Sequence, residues 1–174
     1  TSAISSTFNL VSANATDLSF NSHPSGGNAG NTSALETVIY VVNNIGELVT
    51  DASVSVTLAI TDGTGHSEAT LYGTSTVTSV NGIATFNNIY IDKSSSGYTL
   101  TASASGLTSD TSNSFNISPG TASVVGFVTE PGGSSANSIL STSPVVATQD
   151  AYGNIVASSW PTLISLSLKS GTGS

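Results

Sequence analysis

The chain has no cysteine, no methionine and no arginine, and apart from two histidines its only basic residues are Lys93 and Lys169. The absence of cysteine excludes disulfides, thiolate metal sites and cysteine catalysis. Ten acidic residues give the 174-residue chain a net charge of −8. Because nucleic-acid binding needs a basic surface that displaces counterions from phosphate, this composition excludes a nucleic-acid partner.

Long apolar runs and charges are also scarce. The longest apolar run, Val38 to Val42, is far shorter than the roughly 18 residues of a membrane helix, so we expect no membrane insertion in this segment. No basic stretch followed by an apolar core opens the chain, so we expect no signal peptide in it. Charged residues make up 7% of the chain, against about 25% in ordinary soluble domains. Since 34 serines and 24 threonines form a third of the chain, hydroxyls and amides hydrate the surface.

The sequence matches itself at a spacing of 107 residues, at which Phe8-Asn9-Leu10 returns as Phe115-Asn116-Ile117 and Phe20 returns as Phe127. The same spacing relates further identical pairs: Ala15/Ala122, Pro24/Pro131, Gly26/Gly133, Ala29/Ala136, Val38/Val145, Gly46/Gly153 and Val49/Val156. An extra residue near Trp160 shifts the spacing to 108, which aligns Leu58/Leu166, Ile60/Leu168 and Gly63-Thr64-Gly65/Gly171-Thr172-Gly173. Compositional bias does not place Phe, Pro and Gly at one common spacing, so we predict an internal repeat.

The phase of the repeat predicts the domain organisation. Residues 1–13 match the last strand of a preceding repeat, residues 14–119 form one complete repeat, and residues 120–174 match the first half of a following repeat. Only Ser118-Pro119-Gly120 lacks strand character between the last two, so we expect adjoining repeats to be stiffly coupled. An array cut at both ends is the simplest explanation of this phase.

The hydrophobic pattern predicts β-strands throughout. Apolar residues alternate with polar ones along Ser53–Ile60, Tyr98–Ala104 and Ile164–Lys169, which is typical of strands with one buried face. No segment has a helical period. About eight short strands in a repeat predict two antiparallel sheets packed face to face. We expect the core to contain Val56, Leu58, Ile60, Phe86, Leu100 and Phe115.

Turn residues separate the predicted strands. Asn81-Gly82, between Thr76–Val80 and Ile83–Ile91, is a strong hairpin signal. The apolar phase slips inside Ile83–Ile91, which predicts a bulge at Asn87-Asn88. The segments 43–47 and 150–154 occupy the same place in the repeat and are interpreted as strand-to-strand loops.

The segment from Thr76 to Phe86 resembles the strand–Asn-Gly–strand core of bacterial immunoglobulin-like repeats, which occur in large surface proteins and adhesins. Gly97–Ala104 followed by Phe115-Asn116-Ile117 is similar to the closing strands of that family, and Gln149–Asn154 is similar to its QDxxGN loop. The first repeat departs there, with Val42-Asn43-Asn44-Ile45-Gly46-Glu47. The resemblance implies tandem immunoglobulin-like β-sandwiches, an extracellular location, and no shared catalytic residues.

Catalytic and phosphate-binding patterns are lacking. His23 and His66 have no spacing that pairs them with a nucleophile and an orienting carboxylate, and we interpret both as exposed loop residues. The glycine clusters at 26–30 and 132–133 fit neither a Walker nor a dinucleotide pattern. We therefore predict no enzyme, no catalytic residue and no cofactor site.

Calcium is the best of the weak ligand hypotheses, with Asp17 near a repeat boundary and Asp150 and Asn154 in one loop as candidate ligands. Ten scattered acids argue against a strong site, so we predict no definite metal ligand. An internal Lys–Asn or Lys–Asp crosslink needs a buried lysine. Neither Lys93, in a loop, nor Lys169, on the polar face of a strand, meets that need.

Aromatic residues form the basis of a carbohydrate hypothesis. Trp160, Tyr72, Tyr90, Tyr98 and Tyr152 are scattered along the sequence, which favours packing roles over a sugar platform.

Two main functions remain. The chain is either part of a stiff, non-enzymatic stalk or surface array of a large extracellular adhesin-type protein, or a subunit of an ordered fibre, sheath or surface layer joined by strand contacts between chains. Its partners would be neighbouring repeats and a cell-surface or glycan receptor. The spare segment Ser5–Val11 supplies one strand, whereas the half repeat lacks about four, so the stalk is favoured. A carbohydrate-binding module is the third alternative.

Overall fold

The computed structural model describes residues 14–31, 35–157 and 163–167. The strands in these ranges are β1 (Asp17–Ser22), β2 (Gly27–Asn28), β3 (Thr37–Val42), β4 (Ser55–Ile60), β5 (Leu71–Tyr72), β6 (Thr76–Thr78), β7 (Ile83–Phe86), β8 (Tyr90–Ile91), β9 (Ser95–Tyr98), β10 (Leu100–Ser103), β11 (Asp110–Thr111), β12 (Phe115–Ser118), β13 (Val124–Thr129) and β14 (Val145–Gln149). The described ranges contain no α-helix, so they offer no helix able to span a membrane. The all-β prediction is confirmed.

The chain divides into two compact units, Thr1–Gly120 and Thr121–Ser174. In the first unit, one sheet has the order β1-β3-β7 and a second has the order β11-β10-β4-β6. Smaller sheets consist of β2-β12-β9 and of β5-β8. β1 contacts β10 and β11 of the second sheet. Such packing of several sheets around one interior is what a β-sandwich requires.

The core of the first unit is built from alternate residues of its strands, because successive side chains of a strand point to opposite faces. Each of the following is at most 7% exposed: Leu18, Phe20, Ile39, Val41, Val56, Leu58, Ala84, Phe86, Leu100, Ala102, Phe115 and Ile117. The prediction for Val56, Leu58, Phe86, Leu100 and Phe115 is thereby confirmed. The prediction that Ile60 is a core residue is wrong. Ile60 is only half-buried, because it ends β4 beside an open groove at the Asp62–His66 turn.

The Asn81-Gly82 turn forms as expected, with positive φ values of 52° and 75°, as a two-residue turn of type I′ requires. Val80 and Ile83 exchange backbone hydrogen bonds of 2.9 and 3.0 Å across it. A Cβ on Gly82 would clash with the carbonyl oxygen of Val49, so no larger residue fits.

The strands on either side of this turn do not form the predicted hairpin. β6 pairs with β4 and β7 pairs with β3, so beyond the bridge between Val80 and Ile83 the two strands enter different sheets. The turn therefore carries the chain from one sheet to the other.

The predicted bulge at Asn87-Asn88 is a break between strands. β7 ends at Phe86, and β8 begins at Tyr90 in the sheet with β5. The Asn88 side chain accepts a hydrogen bond from the Thr74 amide (3.2 Å) and donates one to the Thr74 hydroxyl (3.0 Å). The break changes the phase, so that Ala84 and Phe86 before it and Ile89 and Ile91 after it are all buried.

In the second unit, β13 and β14 form an antiparallel pair. The prediction of a strand over Ile164–Lys169 is wrong for its described part, because residues 163–167 are not in a strand. Lys169 lies outside the described residues. The matching segment β4 is held between β10 and β6. In the described part of the second unit, no strand pairs with residues 163–167.

Candidate functional site

Two strand pairs, β1–β3 and β13–β14, have the same register at a spacing of 107 residues. In both pairs the register shifts at the same place, between Phe20 and Ser22 and between Phe127 and Thr129. Corresponding residues face each other from one end to the other: Asp17↔Val42 and Val124↔Gln149, Phe20↔Ile39 and Phe127↔Val146, Ser22↔Val38 and Thr129↔Val145. The loops that follow the two pairs, residues 43–47 and 150–154, are also alike, because the amide of the first residue donates to the carbonyl of the fifth in both.

In the first unit this loop is closed by Asn43 and Glu47. The Asn43 Oδ1 accepts hydrogen bonds from the amides of Ile45 (3.1 Å) and Glu47 (2.9 Å). The Asn43 Nδ2 donates to the Glu47 Oε2 at 3.2 Å. Gly46 supplies the left-handed residue of the turn, with φ of 82°.

In the second unit the loop is closed by Asp150 and Asn154. The Asp150 Oδ1 accepts hydrogen bonds from the amides of Tyr152 and Asn154, both at 2.9 Å. The Asn154 Nδ2 donates to the Asp150 Oδ2 at 2.8 Å. Gly153 has φ of 80° and takes the place of Gly46.

We call each of these two pairs an amide–carboxylate clasp. The first clasp has the amide on residue 43 and the carboxylate on residue 47, whereas the second has the carboxylate on residue 150 and the amide on residue 154. Asn43, Asp150 and Asn154 are 5%, 2% and 7% exposed, so the hydrogen bonds satisfy groups that water reaches poorly. Sequence reasoning placed Asp150 and Asn154 in one loop but missed the clasp. The signal was an acid and an amide, four residues apart, in exchanged order.

The clasp weakens the calcium hypothesis, because amide donors occupy both carboxylate oxygens of Asp150, which a calcium ion would need as ligands. Asp17, the third candidate, lies in the first unit and accepts the Thr16 hydroxyl at 2.6 Å. Hydrogen bonds from the Thr16 and Thr108 side chains lower the pKa of Asp17. Within residues 14–31, 35–157 and 163–167, no three His, Asp or Glu side chains cluster in a way that could hold a metal ion.

The two histidines have separate structural roles. The expectation that His23 is exposed is wrong, because His23 is half-buried. Its ring stacks on that of Phe20 with the ring centroids 5.3 Å apart, and its Nδ1 accepts a hydrogen bond from the Asn113 amide at 3.1 Å. His66 is exposed, as expected, and its Nδ1 accepts the Glu68 amide at 3.1 Å. His23 therefore links its loop to the segment at Asn113, and His66 supports its own loop.

Lys93 is half-buried in its loop, which agrees with the expectation that it is not a core lysine. Its carbonyl oxygen accepts the Tyr98 hydroxyl at 2.8 Å. Lys169 lies outside the described residues.

Two of the tyrosines that are scattered along the sequence come together in the structure. The rings of Tyr72 and Tyr90 stack at 5.1 Å with an interplanar angle of 10°, because β5 pairs with β8. Tyr72 is 41% exposed. By contrast, Tyr98 is fully buried against Phe115, and Trp160 lies outside the described residues.

The second unit exposes an apolar face that the first unit buries. Val125 and Phe127 of β13 are 55% and 45% exposed, whereas the matching Leu18 and Phe20 are 4% and 7% exposed. Beside Phe127 lies an open groove of about 420 Å³, lined mainly by apolar side chains: Phe127, Pro131, Leu140, Pro144 and Leu166. This face is the strongest candidate for an interaction surface in the second unit.

No protein-family model and no curated protein matches this chain.

Proposed function

We propose that the chain is a non-enzymatic part of a tandem array of immunoglobulin-like β-sandwich repeats, forming a stiff stalk or surface array of a large extracellular protein. Residues 14–119 are one repeat in this proposal, and residues 120–174 begin the next. The residues before 14 match the end of a repeat in sequence.

The observation that carries the proposal is the equal register of β1–β3 and β13–β14 at the sequence spacing of 107 residues. A shared composition can produce two antiparallel pairs, but it does not produce, at that spacing, the same register shift followed by a loop closed by an amide and a carboxylate four residues apart. Repeats of this kind derive their stability from each unit and from contacts between neighbours, which suits an extended structural role.

The strand order supports the immunoglobulin-like part of the proposal. An immunoglobulin sandwich places its first, second and fifth strands (A, B and E) in one sheet and its third, sixth and seventh (C, F and G) in the other. If β1, β3 and β7 are A, B and E, and β4, β10 and β11 are C, F and G, the sheets β1-β3-β7 and β11-β10-β4-β6 divide in this way.

Surface labelling and a mass measurement of the native protein test this proposal. An antibody raised against residues 14–119 is expected to bind intact cells and to detect a species several times heavier than 17.3 kDa. A species of 17.3 kDa found only after cell lysis would contradict both the location and the array. An antibody against a cytoplasmic protein controls for leakage.

Carbohydrate binding is a second candidate function, favoured by the stacked, partly exposed Tyr72–Tyr90 pair. Aromatic faces bind the apolar faces of sugar rings, and a stacked pair holds its rings in place before binding. Glycan-array binding that is lost in Tyr72→Ala but kept in Tyr152→Ala would support it. The absence of any bound glycan in the wild-type chain would remove it.

A further inference from the structure

At three places where the first unit has partners, the described residues of the second unit supply none. The first place is the outer edge of the first strand. In the first unit the amide of Leu18 donates to the Thr108 carbonyl at 2.9 Å, and the amide of Phe20 donates to the Asp110 carboxylate at 2.8 Å. No described residue accepts from the matching amides of Val125 and Phe127. Among the described residues nothing pairs with this edge of β13, and an unpaired edge is where a further strand can add.

The second place is the segment after the first strand. In the first unit, Gly27 and Asn28 form β2, which pairs in parallel with Ile117 and Ser118 of β12. The matching residues, Ser134 and Ser135, are exposed and not in a strand. A strand that matched β12 would supply the missing hydrogen bonds.

The third place is the apolar face itself. In the first unit, β10 and β12 contribute Leu100, Ala102, Phe115 and Ile117 to the core, each at most 5% exposed. The second unit presents Val125, Phe127 and Leu166 at 45–57% exposure, and its described residues include no counterpart of β10 or β12. Apolar surface of this kind gains stability when another layer removes it from water.

All three partners in the first unit come from one segment, residues 100–118. We propose that the exposed face of β13–β14 is a docking surface for a β-layer with the sequence pattern of residues 66–119, continuous with this unit in the same polypeptide. This inference rests on the proposed function, since it takes the second unit as the first half of a repeat. It adds which surface docks and which kind of segment occupies it.

The test replaces Ser174 with a second copy of residues 66–119, joined directly after Gly173. The junction copies the first repeat, where Gly63-Thr64-Gly65 precedes His66, because Gly171-Thr172-Gly173 has the same sequence. The control extension carries serine in place of the four inner residues copied from Leu100, Ala102, Phe115 and Ile117. Because the chain has no cysteine, Val125→Cys and, separately, Leu18→Cys each give one reactive thiol.

In the 174-residue chain we expect the thiol of Val125→Cys to react with a maleimide at least about tenfold faster than that of Leu18→Cys, since a buried thiol reacts only when the structure opens. In the extended chain we expect the Val125→Cys rate to fall by at least about tenfold. The control extension is expected to leave this rate high. Hydrogen exchange at the Val125 and Phe127 amides, measured without cysteine, should show the same protection and needs no substitution in the core.

The outcomes separate the inference from the function beneath it. An unchanged Val125→Cys rate in the extended chain, with Leu18→Cys still protected, overturns the inference and leaves the first sandwich intact. Fast reaction of Leu18→Cys, together with fast exchange at the Leu18 amide in the unsubstituted chain, contradicts the sandwich and hence the proposed function. Protection of Val125→Cys in the unextended chain that grows with protein concentration identifies a second copy as the occupant and overturns the continuous segment.

Discussion

The strand pairs β1–β3 and β13–β14 have one register and two different environments. Phe20 and Phe127 occupy the same position in their pairs, yet one is 7% exposed and the other 45%. The strand register and the loop are specified locally by the residues of the pair and of the turn. Burial depends on residues far along the chain, which the first unit contains between 98 and 118. A strand pair therefore forms its register and loop by itself, whereas burial of its apolar face requires a second layer of strands.

The largest expected difference is between Phe20→Ala and Phe127→Ala. Phe20→Ala should lower the free energy of unfolding by about 3–5 kcal/mol, because it leaves a cavity in a closed core. Phe127→Ala should cost under about 1 kcal/mol, because water already reaches the side chain. Urea unfolding of the whole chain followed by circular dichroism measures both. Equal losses would mean that the second face is already covered.

The second prediction tests whether the two clasps are interchangeable. Asn43→Asp should destabilise the first unit by about 1–3 kcal/mol, because it removes a buried hydrogen-bond donor and brings two carboxylates together. Adding Glu47→Asn recreates the Asp150–Asn154 pair and should restore most of the loss. Thermal melts of the two single variants and the double variant form the cycle.

The cost of Asn43→Asp should be present at pH 7 and shrink in acid, since repulsion between two adjacent carboxylates is relieved when one of them binds a proton. Strictly additive losses in the double variant would show that the clasp is not a unit.

The third prediction concerns the loop glycines. Gly46→Ala and Gly153→Ala should each cost about 1–2 kcal/mol, because both residues have left-handed φ values although a Cβ would meet no atom within 4 Å. Gly133→Ala is the control, since its Cβ also has open space and its φ is not left-handed. Differential scanning calorimetry compares the three. Unequal losses at Gly46 and Gly153 would indicate that the two loops differ in conformation.

The smallest predicted effect is the contribution of Tyr98 to the stability of the first unit. Burial raises the pKa of Tyr98 above its ordinary value of 10.0. The stability contributed by neutral Tyr98 is therefore fully present below about pH 10 and is lost as the pH rises through the raised pKa of the folded state. Tyr98→Phe should cost about 0.5–1.5 kcal/mol at pH 7 by removing the hydrogen bond to Lys93.

Tyr98→Phe should also weaken the alkaline loss of stability. Melting temperatures between pH 8 and pH 12 measure the difference. An alkaline loss that is the same in wild type and Tyr98→Phe would assign it to other groups.

Local patterns predicted much of the fold. The alternation along 53–60 and 98–104 identified strands and most core residues, and the 107-residue spacing agrees with the register of the two strand pairs. The partition of strands between sheets escaped prediction, because the Asn81-Gly82 turn joins strands that separate after one bridge. The immunoglobulin-like family, the location and the function stay predictions.

The candidate site was less predictable than the fold, because it depends on contacts between distant segments. The Tyr72–Tyr90 stack follows from a strand pair of only two residues on each side, which no periodicity in the sequence marks. His23 was misjudged because its partner Asn113 lies 90 residues away. The clasps depend on exchanged residue types, which a search for identical pairs at one spacing passes over.

The exchanged clasp also restricts the evolutionary routes between the two loops. Converting the Asn43–Glu47 pair into the acid-then-amide order of Asp150–Asn154 takes two substitutions, and their sequence decides the intermediate. If Glu47→Asn comes first, the intermediate has two asparagines and keeps an amide donor facing an amide acceptor. If Asn43→Asp comes first, the intermediate places two carboxylates against each other. If the two loops descend from a common repeat, as proposed, the uncharged loop is the easier intermediate, and repeats of the proposed array can differ in the placement of this charge while keeping the same backbone.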